Sequence, residues 1–354
     1  MNLTTRERFL RMFEHREADR VPVYDSPWNT TIERWQKEGL PETQSWVEYF
    51  DLDKIANISI DNTPRFEKKV IEETDEYKIY TTGMGATLKQ FKHITSTPDF
   101  VDFTVKTPED WKKAKERMTF DVSRINMDHI KKNYKTWKKE GYWIELGGWF
   151  GFDITHSWFV GTERLLMAMV TDPEWVVDMF ETYLDLDIQM MDYLLAQGYE
   201  VDSMKWYDDM GYKNNQFFSM SMYRELLKPI HKKAIDWAHS KGIKAHLHSC
   251  GDVNPFIPEL IGMGLDCLNP LEFKAGMDAV KIKGKFGNDL VLHGGINAVL
   301  WDDCDAIIAQ IEEVLPVVMK DGGYIFASDH SIPDSVSFSN MKKIIDKVKE
   351  IGSY

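Results

Sequence analysis

Several segments, far apart in the chain, carry residue types that do chemistry at spacings that let them act together. His248-Ser249-Cys250 offers an imidazole and a thiol two positions apart. In an extended strand such residues point the same way, so both could reach one cation, and zinc favours that nitrogen and sulfur pairing. His246 continues the same alternation, either as a third ligand or as an interior residue deeper down. Tyr207-Asp208-Asp209 sets a phenol beside two adjacent carboxylates. Neighbouring like charges raise a carboxyl pKa, which makes one of the pair a candidate acid. Glu272, His293-Gly294-Gly295 and Ser328-Asp329-His330 follow, and Asp25 with Trp28 and Trp149 with His156 precede. Taken singly, each is explained as well by a loop cap or a satisfied hydrogen-bonder. Imidazoles and carboxylates converging on one concave face are costly to keep unless they bind something.

Most of these groups follow directly on an apolar run. The pattern predicts strands at 21–24, 52–58, 142–146 (ending at Gly147-Gly148), 201–206, 243–247, 265–268, 289–292 and 324–327. Helices alternate with them. The first opens at Thr4, with Glu7 three residues on as a capping box. Asp172-Pro173 starts a long one whose stripe is Val177, Phe180, Leu184, Ile188, Met191 and Leu195. Others are predicted over 223–240, 255–263, 277–283 (closed by Gly284), 305–320 (disturbed at Pro316) and 340–351. Residues from about 64 to 105 read differently. Their short alternating runs at 70–73, 77–80 and 87–91 predict antiparallel strands inserted near the mouth of the main fold. Eight strands alternating with helices in one domain, 1–354, predict a (β/α)₈ TIM barrel, whose chemistry sits where the strands end.

Composition narrows the partners. Among 354 residues the formal net charge is -14, which repels phosphate backbones and argues against nucleic acid. No run of 18 apolar residues exists to span a membrane. The first residues lack the apolar core of a secretion signal. Only Cys250, Cys267 and Cys304 occur, an odd set that suits a reducing cytoplasm, and the latter two read as structural. The 12 Trp, 14 Tyr and 19 Phe fill a core first, and could also shape a pocket for a flat ligand.

Six motifs in this order resemble the uroporphyrinogen decarboxylase superfamily. They are Thr5-Arg-Glu-Arg-Phe, Asp19-Arg-Val-Pro-Val, Asp208-Asp-Met-Gly, His248-Ser-Cys-Gly-Asp, His293-Gly-Gly-Ile and Gly322-Gly-Tyr-Ile-Phe-Ala-Ser-Asp-His-Ser-Ile-Pro. Within it, the chain looks like the cobalamin-dependent methyltransferases of the O-demethylase type. The decarboxylases carry an arginine-rich N-terminal segment for a tetrapyrrole's carboxylates; here Tyr24 to Thr31 contains no arginine. The methyltransferases hold zinc through His-x-Cys and a later Cys. His248 and Cys250 match, and His330 stands where the later Cys is expected.

The resemblance therefore implies zinc on His248, Cys250, Glu272 and His330, a set more Lewis-acidic than a sulfur-rich one. It implies transfer of methyl from a small methoxylated, aromatic substrate to cobalamin on a separate corrinoid protein, since no Asp-x-His-x-x-Gly pattern occurs in this chain. Asp208, Asp209, Tyr207 and His293 are then the catalytic candidates. Trp28, Trp149, Phe150, His156 and Tyr212 are the substrate-binding ones. The alternatives are a metal-free decarboxylase of a small acid and a non-catalytic barrel that binds a corrinoid or tetrapyrrole.

Overall fold

In the computed structural model, which describes residues 3–93 and 97–354, the first helix sets the floor of the molecule. Thr4 Oγ1 accepts from the Glu7 amide and the Glu7 carboxylate accepts from the Thr4 amide, so the predicted capping box opens helix Thr5–Phe13. Phe9, Met12 and Phe13 of that helix pack on Trp143, Cys267, Val291 and Ile325. Phe13 stacks on Trp143 at 5.2 Å, closing the end of the sheet opposite the chemistry. Thr4→Ala is expected to cost about 0.5–2 kcal/mol, read as a lower urea midpoint at unchanged slope.

Thirteen strands are described. They are β1 (Ile55–Ser59), β2 (Val70–Glu73), β3 (Tyr77–Thr81), β4 (Ala86–Phe91), β5 (Asp99–Phe103), β6 (Trp143–Trp149), β7 (Ser203–Tyr207), β8 (Gly211–Tyr212), β9 (Asn215–Gln216), β10 (Lys244–His248), β11 (Cys267–Asn269), β12 (Val291–His293) and β13 (Tyr324–Ile325). Seven form one sheet in the order β1-β6-β7-β10-β11-β12-β13, parallel throughout. Helices join its strands, and β6, β10, β11, β12 and β13 are almost wholly buried, as a parallel sheet covered on both faces requires.

The sheet curls until its edges approach. Val23 forms a parallel bridge with Phe326, just past β13, while the Tyr24 hydroxyl reaches across to Glu145 of β6 at 3.2 Å. The predicted strand at 21–24 is thus a single bridge. Pro22 has no amide hydrogen to give a ladder, and the Val23 amide donates to the Asp53 carboxylate at 2.8 Å. Asp53, fully buried, also pairs with Arg8 and Arg20. One carboxylate thereby stands at the seam where an eighth ladder is expected. Among the described residues no ladder joins 21–24 to β1, so the structure shows a curled seven-stranded parallel sheet in place of the fully closed eight-stranded barrel.

The antiparallel insertion is a separate sheet, β2-β3-β4-β5. It leans on the segment that follows β6 through Phe100 against Trp158 at 5.2 Å. β5 and the small β8–β9 hairpin escape the sequence reading, being short and weakly alternating.

Other boundaries move for local reasons. β6 runs through Gly147 and Gly148 to Trp149, because the β1 ladder reaches Gly147 and the β7 ladder continues to Trp149, offsetting the cost of glycine's flexibility. Asp278 caps helix Ala279–Phe286, which takes in Gly284. Helix Pro173–Ala196 buries a wider face than predicted. Trp175, Val176, Met179, Tyr183, Asp187, Met190 and Leu194 are buried with Phe180, Leu184 and Met191, while Val177, Ile188 and Leu195 lie half-buried at its margin.

Candidate metal and active site

Strand register assembles the site in two rows. In the upper row Trp149, Tyr207, His248 and Asn269 lie level across β6, β7, β10 and β11. One pleat below, Lys205, His246 and Cys267 are level. The upper row ends the strands, so the loop residues just past it fold over the same mouth. A cavity of 370 Å³ opens there, lined by Lys205, Tyr207, Asp209, His248, Cys250 and His330 among others. That volume lies near the lower end of the roughly 300–1,000 Å³ of small-molecule sites.

At its wall His248, Cys250 and Asp209 present ligand atoms that all lie within 4.8 Å of one another. Cys250 Sγ stands 3.4 Å from His248 Nε2, and Asp209 Oδ1 3.9 Å from it. Asn269 Oδ1 accepts from His248 Nδ1 at 2.5 Å, which fixes the tautomer and leaves the Nε2 lone pair facing Cys250. Such outer partners orient metal-bound histidines. Burial, aided by the Lys205 charge, pushes the His248 imidazolium down to about 3, so the ring is neutral and free to ligate. Burial also raises the Cys250 thiol well above its ordinary range. Burial and then the Asp153 charge raise Asp209 to about 8. One nitrogen, one sulfur and one carboxylate oxygen, with the cavity on the fourth side, fit a catalytic zinc that keeps a position open.

A second group lies deeper, its ligand atoms also within 4.8 Å of one another: His246, Cys267 and His293, all buried. His293 receives its hydrogen-bond partners from within the protein. Its Nε2 donates to the Tyr24 carbonyl at 2.8 Å and its Nδ1 faces His246 Nε2 at 3.3 Å. Burial drives its pKa well down. It stacks on Tyr24 at 5.1 Å and is held as a neutral part of the cavity floor.

Comparison with known proteins settles the lineage. A family model described as Uroporphyrinogen decarboxylase (URO-D) matches residues 4–351. The chain belongs to that family. Among solved structures, a methyltransferase from Methanosarcina mazei superposes with a TM-score of 0.66 at 16% identity, covering 99% of each chain. At that identity the likeness establishes the shared fold. No curated protein sequence matches significantly.

Within this uroporphyrinogen decarboxylase fold, several predicted residues stand elsewhere. Asp208 does not face the cavity. It is fully buried, bonded to His231 Nε2 at 2.8 Å and accepting from the Asp153 amide at 2.7 Å. Side chains alternate across the strand end, so Asp208 points away as Asp209 points in. Gly151, at φ +96, makes room for it, since a Cβ there would sit 2.3 Å from Asp208 Oδ2.

Glu272 is outside the ligand group. Its Oε2 accepts from the Gly251 amide at 2.6 Å and its Oε1 pairs with Lys274 at 3.0 Å. That bracing holds the loop carrying Cys250, and the carboxylate that converges with His248 and Cys250 is that of Asp209. His330 lines the cavity but is exposed and outside the ligand group, with Trp28 edge-on at 6.3 Å.

Phe150 is core, fully buried and stacked on Trp206 at 5.5 Å. Trp149 donates to Asp153 at 2.7 Å and turns to a separate 770 Å³ cavity beside the insertion. His156 packs on Phe152 at 4.5 Å and bonds Thr162 at 3.0 Å. Tyr212, on the β8–β9 hairpin, is 45% exposed, with Phe217 at 5.4 Å. Tyr207 stays at the site, its ring 4.5 Å from His248.

Sequence reasoning passes over Lys205, Glu145, Asp153 and His231. The signal for the first two is a charge inside a strand whose neighbours are apolar, which a covered sheet tolerates only for a reason. Because Asn269 reaches the site through His248, its amide nitrogen donating to the His293 carbonyl at 3.1 Å, Asn269→Ala is expected to weaken zinc binding about 10–100-fold, measured by chelator competition, with the fold intact by circular dichroism.

Proposed function

We propose that this protein is a methyltransferase component that takes methyl from a small methoxylated substrate and hands it to the cobalt of a separate corrinoid protein. The observation that carries the reading is the Asp209–His248–Cys250 group, convergent and open to the cavity at the end of the strands. Zinc bound there would supply a Lewis acid for the ether oxygen.

The chain's own residues do the rest. In the transfer the methyl–oxygen bond breaks, the methyl group joins the cobalt, and the oxygen leaves with the bonding pair and requires a proton. Asp209, raised to about 8 by burial and by Asp153, holds a proton at neutral pH when no cation displaces it. Tyr207, 42% exposed at the rim, offers a hydroxyl when Asp209 is engaged as a ligand. His330 lines the cavity from the loop past β13, with Trp28 edge-on to it outside the lining. The corrinoid has to approach from this open side, which places its carrier over the strand ends. The methyltransferase of the same fold is consistent with this choice of chemistry.

The decarboxylase alternative fits the cavity less well. Asp25, Asp209 and Asp329 line it, while Lys205 is its one ammonium or guanidinium among the described lining residues. A tetrapyrrole bearing many carboxylates would meet mainly acids. No described helix is long and apolar enough to cross a membrane, and all three cysteines are free, as a protein of the reducing cytoplasm would keep them.

The test is direct. Zinc-loaded protein, cob(I)alamin and a methoxyarene should give the absorption spectrum of methylcobalamin. Demethylation that needs no metal, or an unchanged cobalt spectrum across a panel of methoxyarenes, would overturn the reading.

A further inference from the structure

Among the described residues, Lys205 is the one Lys, Arg, Asp or Glu lining the cavity that has no hydrogen-bond or ion-pair partner. It sits inside β7, is only 6% exposed, and lines the cavity. Among the described residues its Nζ makes no ion pair and no hydrogen bond. Its neighbours are the ring faces of Tyr24 at 4.7 Å and Tyr207 at 5.9 Å. The nearby carboxylate, Glu145, is occupied elsewhere: Oε1 accepts from the Tyr24 hydroxyl, and Oε2 from Ser203 with His246 beside it. Burial opposes the ammonium, yet the Tyr24 phenol oxygen and the Glu145 carboxylate nearby favour it, and the Lys205 pKa is held above the ordinary lysine range. The charge therefore persists. Its close contacts are aromatic faces, so the buried ammonium still lacks a hydrogen-bond acceptor, and its free side is the cavity.

We propose that Lys205 is an anion subsite, so that the substrate carries one carboxylate that pairs with Nζ while its methoxy group faces Asp209, His248 and Cys250. This rests on the methyltransferase reading for the methoxy group, though not for the anion. The geometry suits a single ring. Lys205 lies one pleat below the row of His248, and two residues of strand span about 6.6 Å, close to the reach from a ring carboxylate to a methoxy group on the same ring. One cation selects a monoanion, in keeping with the acidic remainder of the lining.

Calorimetric binding of benzoate, 3-methoxybenzoate and methyl 3-methoxybenzoate, on zinc-loaded and zinc-stripped protein, tests the subsite. Both acids are expected to bind at least tenfold more tightly than the ester, with or without zinc. Lys205→Met should abolish that preference and Lys205→Arg retain part of it, with melting curves confirming that each variant is folded. The comparison of acid with ester in the unaltered protein needs no variant. An ester that binds as well as the acids overturns the proposal, as does no acid binding at millimolar concentration. So does a preference that survives Lys205→Met and vanishes with zinc removal, because the carboxylate is then on the metal. None of these readouts needs methyl transfer. A protein that prefers acids yet never methylates cobalt keeps the subsite and loses the function; one that methylates cobalt without preferring acids does the reverse.

Discussion

Cys250→Ser should reduce zinc from one equivalent to a trace after dialysis and lower methyl transfer to cobalt by more than about a hundredfold, beyond the 10–100-fold of losing an outer partner. The thiolate is the softest of the three donors, and a serine hydroxyl stays protonated near neutral pH, so the variant keeps two ligands of the group. The fold should be unaffected. Cys250 lies past the end of β10, where it is half-buried, and its amide bond to Asp209 Oδ1 at 2.7 Å does not involve the side chain. Metal content by atomic absorption and a melting curve separate the two effects. Full zinc occupancy in Cys250→Ser would remove this group as the metal site.

The second large effect is on pH. Zinc has to displace the proton of Cys250, whose thiol lies well above its ordinary range, and that of Asp209, at about 8. His248 is already neutral. Below pH 8 two protons leave per ion bound, so apparent affinity should climb about a hundredfold per pH unit; above it, one proton leaves and the slope falls to about tenfold. Asp209→Asn should lower the limiting slope by one proton. The metal-free protein should show the opposite trend in stability. An Asp whose pKa rises from 3.8 to about 8 on folding stabilises the fold at low pH, and that contribution is lost as pH climbs through this window. Chelator competition from pH 6 to 9 measures the first trend, and urea melts of stripped protein the second. A flat zinc affinity would show that neither proton is displaced.

Placement of the Asp209–His248–Cys250 group shows how far sequence reasoning reaches. His248 and Cys250 are legible because two-residue spacing in a strand is a geometric statement, and the structure puts them 3.4 Å apart. Asp208 and Asp209 are indistinguishable as letters. Only the turn after β7 decides that the first is sealed against His231 and the second stands at the cavity. Glu272 has the right type and a plausible distance along the chain, but a loop amide and Lys274 occupy its oxygens. Phe150 and Trp149 sit where a strand ends, as substrate-stacking rings would, and packing sends one into the core and the other to a neighbouring cavity.

The sequence by itself determined what repeats locally: the capping box at Thr4, the alternation of apolar strands with helices, the antiparallel texture of the insertion, and the motifs of the uroporphyrinogen decarboxylase family. Each depends on neighbours within a few residues, where spacing fixes direction. Tertiary structure alone decided which charges meet. Lys205 and Glu145 are brought near each other by the β6–β7 ladder, and Tyr24 joins them only when the sheet curls, because an ammonium, a phenol and a carboxylate on separate elements have no local reason to meet. The seam was decided in the same way, where Asp53 receives the Val23 amide in place of a strand. Hydrogen bonds and ion pairs between distant segments are chosen by the closing of the fold, and no periodicity in the chain records that choice.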